Sequence, residues 1–277
     1  LKKDNPGHRV EGIAGPQMIK SGCIPWFHVS ELSVMGIFGV LRHLPRILRI
    51  RKKLLKRILD DPPDAFIGID YPDFNLGLEK KLKKKNIKTI HMVAPSFWAW
   101  REGRVKTIKE SVDLLLCLFP FEESLLKNHS INTQFIGHPL AKSIEKDIDM
   151  LSVRRDLEIQ TETLIAIMPG SRKAEINQHM EILFEAAELI EQESYKNNNG
   201  DIQFIVPTVF SESEEILKHS KPKLFKKFHF IKDSTKAISA SDLVITKSGT
   251  STLQAALHKK PMIVIYRMSN ATYYLLK

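Results

Sequence analysis

Phe66-Ile67-Gly68-Ile69-Asp70-Tyr71-Pro72-Asp73-Phe74-Asn75 joins an apolar strand signal to a helix start through an acid and a proline. An apolar run ends abruptly in an acid, and Pro72 then has no N–H to continue a strand ladder. Such a run predicts a buried parallel strand with Asp70 left at its C-terminal lip. In open α/β sheets that lip is where ligands bind. Asp73 has the chemistry of a helix cap. Asp70 sits at the strand end instead, and is the candidate for chemistry.

Outward from that strand the pattern repeats. A helix is expected over Leu76–Lys85, ended by Asn86, with its lysines on a solvated face. Apolar strands are expected at Lys88–Val93 and Val112–Phe119, and Phe135-Ile136-Gly137-His138 closes the first half. His138 there fits either a general acid/base or a hydrogen-bonded turn residue. Residues 140–162 are polar and carry no strand signal, which places a domain boundary between 1–145 and 146–277. After it the rhythm restarts, with strands expected at Leu164–Met168, Ile202–Val206, Phe228–Ile231, Leu243–Thr246 and Met262–Tyr266. A helix is expected from about Ala174 to Glu193. Strands alternating with helices of this length predict βαβ units and parallel sheets. The expected class is α/β, two doubly wound parallel-sheet domains facing a cleft.

Composition agrees. At 277 residues with 43% hydrophobic content, the chain has material for two cores. It begins at Leu1 rather than Met and stops at Lys277 inside an apparent helix, which reads as a fragment lacking both termini. Two cysteines, Cys23 and Cys117, supply neither a disulfide framework nor a zinc site, and fit a reducing cytosol. No apolar run reaches the ~18 residues that span a bilayer. The net charge of +10 is concentrated early: residues 1–88 hold eighteen Lys and Arg against nine Asp and Glu. Eight of those basic residues lie between Arg42 and Arg57 with no acid among them. Leu44, Ile47, Leu48, Leu55, Ile58 and Leu59 recur there at helical spacing, and the uncharged segment 32–41 precedes them. This fits either a core helix with a solvated basic side or a helix that rests on a membrane surface. A basic face of that density also suits nucleic acid or phosphorylated substrates.

Two loops in the second half have the shape of phosphate seats. Pro169-Gly170-Ser171-Arg172 lies between a strand and a helix, where glycine lets the backbone approach a ligand. Arg172 adds a fork that grips phosphate oxygens. Ser248-Gly249-Thr250-Ser251-Thr252 follows the strand Leu243–Thr246 in the same way. Either loop alone also fits plain N-capping; together they point to a nucleotide diphosphate. No loop matches an ATPase P-loop, no cluster has metal-ligand spacing, and no cofactor is expected. In the first half, Ala94-Pro95-Ser96-Phe97-Trp98-Ala99-Trp100-Arg101 places three aromatic rings after a strand. They fit packing anchors or the wall of a sugar or acyl-chain site.

Taken together, these segments resemble lipid-A-disaccharide synthase, an inverting glycosyltransferase family of Gram-negative bacteria. The matching runs are Gly12–Pro16, Val34-Met35-Gly36, Gly68–Asn75, Pro95–Arg101, Pro120-Phe121-Glu122, Phe135–His138, Pro169–Arg172 with Glu175, and Ser248–Leu253. The resemblance implies a GT-B fold, with a first domain on the acceptor and membrane side and a second that binds the UDP-sugar. It implies condensation of UDP-2,3-diacylglucosamine with 2,3-diacylglucosamine 1-phosphate, giving a β-1,6-linked disaccharide 1-phosphate and UDP. Asp70 matches the family's general base and Arg172 its phosphate-contacting arginine. Gly170, Ser171, Ser248, Gly249, Thr250 and Gln254 fall on the UDP side. Met35, Phe38, Trp98, Trp100 and Arg101 fall on the acceptor or acyl-chain side. The implied location is the cytoplasmic face of the inner membrane, with a homodimer in the full-length protein. The family's N-terminal glycine-rich loop and its C-terminal segment are absent from this stretch. Gln254 stands where the family has Glu, so the ribose hydroxyls would meet a weaker acceptor. A soluble UDP-sugar epimerase and a non-catalytic membrane-binding fragment are the alternatives.

Overall fold

The computed structural model describes residues 7–32, 36–96, 103–144, 149–198, 200–207 and 212–267. The chain divides between His138 and Pro139 into two compact units.

In the first unit, β1 (Glu11–Ala14) and β2 (Ile24–His28) pair in parallel, with the short helix α1 (Pro16–Lys20) between them. The long helix α2 (Gly36–Asp60) leads into β3 (Ala65–Ile69). The alternation then runs α3 (Pro72–Lys83), β4 (Lys88–Met92), α4 (Arg104–Ser111), β5 (Leu114–Cys117), α5 (Pro120–Asn128) and β6 (Thr133–Phe135). These four strands form one parallel sheet in the order β3-β4-β5-β6. α3 starts at Pro72, four residues before the expected Leu76, because proline at the first helical position has its φ already set. Asp73 is therefore not the cap. It lies in the first turn, where a negative charge still favours the helix dipole, and Tyr71 occupies the cap position. α2 also begins earlier than the expected Arg42, so residues 36–41 belong to the basic helix itself. Its Ile47, Ile50, Leu54 and Ile58 are buried against Phe74, Leu78 and Leu82 of α3.

The second unit opens with α6 (Pro139–Ser143) and α7 (Met150–Asp156), followed by β7 (Thr163–Met168) and α8 (Lys173–Asn197). Then come β8 (Ile202–Pro207), α9 (Glu212–Ser220), α10 (Pro222–Phe225) and β9 (Phe228–Ile231). The chain ends its described part with α11 (Ser234–Ala240), β10 (Leu243–Lys247), α12 (Thr250–Leu257) and β11 (Met262–Ile265). All five strands are parallel, in the order β11-β10-β7-β8-β9. β7 is the central strand, and its apolar run splits by pleat. Ile165 and Ile167 join a core with Met180, Leu183, Phe204 and Phe228, while Leu164, Ala166 and Met168 join one with Ile238, Val244 and Ala255. Helices thus cover both faces, as a doubly wound sheet requires. The polar connector is anchored by Arg154 of α7. Its guanidinium is buried, donating to the Ala240 carbonyl at 2.7 Å and to Asp242 at 2.5 Å, while Asp242 also accepts from the Leu164 N–H.

Candidate functional site

β3 ends in a strained corner. Asp70 (φ 50°) and Tyr71 (φ 46°) are consecutive left-handed residues, and Val93 (φ 79°), just past the end of β4, is a third. Left-handed backbone is uncommon for any side chain and a clear outlier for a β-branched one. The residue before a proline is ordinarily pushed to extended backbone, which makes Tyr71 doubly unusual. Each such residue costs about 1–3 kcal/mol, and these cluster where the surrounding structure enforces them, commonly at functional sites. Here the enforcement is visible. The Asp70 N–H donates to the Met92 carbonyl at 2.8 Å, so the ladder continues one residue past the strand. The Asn75 amide donates back to the Asp70 carbonyl at 2.7 Å. The Tyr71 ring stacks on Phe74 at 5.8 Å. With its backbone held on both sides, Asp70 is exposed to solvent.

Behind the corner lies a fully buried pair, Glu79 of α3 and His91 of β4, with Oε1 and Nδ1 2.8 Å apart. A Cβ at Gly68 would collide with Glu79 Oε1, which explains the glycine two residues before Asp70. On the outer side, Pro72, Asp73, Leu76, Gly77, Gly103, Arg104 and Thr107 line an open hollow of about 560 Å³. Arg104 donates to Asp73 there at 2.5 Å. His138 packs against the Phe119 ring at 5.6 Å. The Glu122 carboxylate accepts from the Leu118 and Phe119 N–H groups, closing the turn into α5. Burial pushes that carboxyl above the ordinary range, outweighing the two donors. Burial also drives the Cys117 thiol up to about 12, so it is a packing residue and not a nucleophile.

In the second unit the strand order sets the site. The chain steps from β7 outward to β8 and β9, then returns to β10 on the opposite side of β7 and continues to β11. The order reverses between β7 and β10, and such a switch point is where doubly wound sheets bind ligands. Both phosphate-shaped loops emerge there. Gly170 (φ 120°) leads to α8, whose first turn follows Arg172; Gly249 (φ 155°, ψ −158°) leads to α12. Neither helix start is capped by its own side chain. Ser171, Arg172, Ser248, Gly249 and Thr250 are exposed, and Gln254 is half-buried on α12. Ser251 and Thr252 are engaged within the turn instead: Ser251 Oγ lies 2.6 Å from Thr246 Oγ1, and Thr252 Oγ1 donates to the Gly249 carbonyl at 2.7 Å.

Glu175 joins the two loops. Its Oε1 accepts from Arg172 Nη1 at 2.9 Å and from Lys247 Nζ at 3.1 Å, and its Oε2 accepts from the Ser171 N–H at 3.3 Å. A Cβ on Gly170 would lie 2.7 Å from that Oε2, so glycine is what lets the carboxylate in. Burial raises the Glu175 carboxyl, but Lys247 and then Arg172 outweigh it and hold it below the ordinary value of 4.5. One turn further along α8, buried His179 places Nδ1 2.7 Å from the Glu175 carbonyl and accepts the Arg267 N–H at 3.1 Å. Lys247 and His179 were not among the residues singled out in the sequence. The available signals were a lysine directly ahead of Ser-Gly-Thr and a histidine one helical turn past Glu175. Met35, Trp98, Trp100 and Arg101 lie outside the described residues, and Phe38 lies within α2.

Residues 1–277 match the family described as lipid-A-disaccharide synthetase. The chain is similar to the lipid-A-disaccharide synthase of Methylobacillus flagellatus, with 41% identity over 286 residues, covering 100% of this chain and 73% of that protein. It is 42% identical to lipid-A-disaccharide synthase 2 of Legionella pneumophila (strain Paris) over 284 residues, 99% of this chain and 71% of that one. Among solved structures it is similar to the S. aureus MnaA–UDP co-structure, with a TM-score of 0.59, covering 97% of this chain and 81% of that one. Identity there is 12%, so the likeness is one of fold. It bears out the α/β, GT-B-like class of two Rossmann-like parallel-sheet units.

Proposed function

The chain belongs to the lipid-A-disaccharide synthase family of glycosyltransferases, which act in lipid A biosynthesis, and from that premise we propose how its two units share the reaction. The family match over the whole of residues 1–277 is the observation that carries the assignment. An epimerase reading rests on fold alone.

The donor is UDP-2,3-diacylglucosamine and the acceptor 2,3-diacylglucosamine 1-phosphate. The acceptor's 6-hydroxyl oxygen forms the new bond to the anomeric carbon while the bond from that carbon to the UDP oxygen breaks. The hydroxyl proton goes to Asp70, and the bonding electrons leave with UDP. Attack opposite the leaving group inverts the centre and gives the β-linkage. General base assistance of this kind supplies about 10²–10⁴ in rate. The exposed Asp70 carboxylate, carried on a backbone tied at both its N–H and its carbonyl, suits that task, and the neighbouring hollow offers room for the acceptor. In the second unit, Arg172 and the Gly249 and Thr250 N–H groups meet the charge developing on the diphosphate, the Ser248 N–H being taken by the Ile265 carbonyl. Gly170 and Ser171 let the backbone come close, and Gln254 accepts from a ribose hydroxyl.

We further propose that α2 rests on the inner membrane's cytoplasmic face, where both lipid substrates reside. Arg46 pairs with Glu31, and Arg57 lies over the Trp26 ring at 4.3 Å. Arg49, Lys52, Lys53 and Lys56 are exposed alongside Leu44 and Leu48. Among the described residues no helix is long and apolar enough to cross a membrane. Met35, Phe38, Trp98, Trp100 and Arg101 are assigned to the acceptor or acyl-chain side.

The test is to incubate the full-length protein with both acylated substrates and follow disaccharide 1-phosphate by mass spectrometry. Disaccharide and UDP in equal amounts are expected, with soluble UDP-N-acetylglucosamine left unchanged. Epimerised sugar nucleotide, or no product, would overturn the assignment.

A further inference from the structure

We propose that Lys247 is a second cation for the donor's diphosphate, held ready beside Arg172 by Glu175. The inference rests on the reading of the second unit as the UDP-sugar site and adds to it a residue that neither the motifs nor the family resemblance singled out.

Lys247 is the last residue of β10, and β10 and β7 are adjacent strands on either side of the switch point. Its side chain is only 15% exposed, against 63% for Arg172. A lysine so far withdrawn from water is costly unless a negative group faces it. Glu175 Oε1 is that group, at 3.1 Å, and the same oxygen accepts from Arg172 Nη1 at 2.9 Å. The two cationic nitrogens therefore lie no further apart than those two bonds laid end to end. That spacing suits adjacent phosphoryl groups. One carboxylate facing two cations leaves a net positive charge, and at Lys247, the more withdrawn of the two cations, water screens it less. Gly249 fits the same arrangement: a Cβ there would lie 3.3 Å from Lys247 Nζ, so the glycine keeps the ammonium clear next to the exposed Ser248–Thr250 turn. When a diphosphate enters, Lys247 keeps Glu175 on one side and donates another N–H to a phosphoryl oxygen. Arg172 does the same from the other loop. Glu175 is thus a positioning residue for both.

The experiment compares the binding of UDP and uridine to the full-length protein by titration calorimetry, because only the diphosphate differs between the two probes. Wild type is expected to prefer UDP, and Lys247→Met to lose about tenfold in UDP affinity with uridine unchanged, the scale of one charge-assisted hydrogen bond. Lys247→Arg keeps the charge and is expected to retain most of the preference. A second measurement needs no variant: reductive methylation of Lys247, read by mass spectrometry, should be blocked by UDP and not by uridine. If wild type prefers UDP while Lys247→Met keeps that preference in full, the role of Lys247 is wrong and the UDP site stands. Equal methylation of Lys247 with UDP and with uridine contradicts it in the same way. If wild type itself does not distinguish UDP from uridine, both the site and the proposal fall.

Discussion

At Asp70 and Tyr71 the chain takes two left-handed residues in succession, directly in front of a proline, and Asn75 ties the corner down from α3. That arrangement turns an ordinary strand end into a fixed platform for one carboxylate. Asn75→Ala is expected to cost about 1 kcal/mol of stability, the net worth of a hydrogen bond. It should also lower kcat while leaving KM for the UDP-sugar nearly unchanged, because Asn75 acts through Asp70; circular-dichroism melts and steady-state kinetics check the two parts. Gly68→Ala forces a Cβ onto the buried Glu79 carboxylate and should destabilise by about 1–3 kcal/mol, read as a lower denaturation midpoint. The place of Asp70, exposed just past the end of β3, was legible in the sequence because an acid after an apolar run, with proline two residues on, marks a strand end. The left-handed backbone was not legible, since Asp-Tyr-Pro carries no glycine to announce it. Lys247 was hidden for a related reason: a lysine at a strand end looks solvent-facing until Glu175, 72 positions away, is seen to face it.

α2 carries a core face and an exposed basic side on one helix. Its Ile47, Ile50, Leu54 and Ile58 stripe is an ordinary core face, as a 3.6-residue period demands. Its exposed side still carries Arg49, Lys52, Lys53 and Lys56 next to Leu44 and Leu48. Periodicity could find the helix but not its start, because the uncharged residues 36–41 hold neither a cap nor a charge. Replacing those four basic residues by Gln should weaken binding to anionic vesicles in a sedimentation assay, by about 1 kcal/mol per residue near the surface, while melting is little changed. Unchanged vesicle binding would return the helix to a purely structural role. In α8, Glu175 links stability to acidity. Its carboxyl is held below 4.5, so its contribution is complete above that value and is lost as pH falls through the lower folded value. Wild type should therefore lose more Tm than Glu175→Gln between about pH 5 and about pH 3, in parallel melts.

For the whole molecule, the strand–helix rhythm made two parallel-sheet units readable, and the family match accords with it. The alternation of β7 between two cores is what makes the second unit depend on single residues. Ile167 is fully buried in one of those cores, and Ile167→Ala should cost about 2–5 kcal/mol by chemical denaturation. The reversal of strand order between β7 and β10 was not readable, because order in a sheet is settled by long-range pairing. It is that reversal which brings Arg172 and Lys247 to one carboxylate.

In the proposed reaction Asp70 takes the proton from the acceptor while the second unit holds UDP. This is tested most directly by Asp70→Asn in the full-length protein, with disaccharide formation and the UDP dissociation constant measured on the same preparation. Turnover is expected to fall by about 10² or more, with UDP affinity within about twofold of wild type. Near-normal turnover in Asp70→Asn would contradict that role for Asp70.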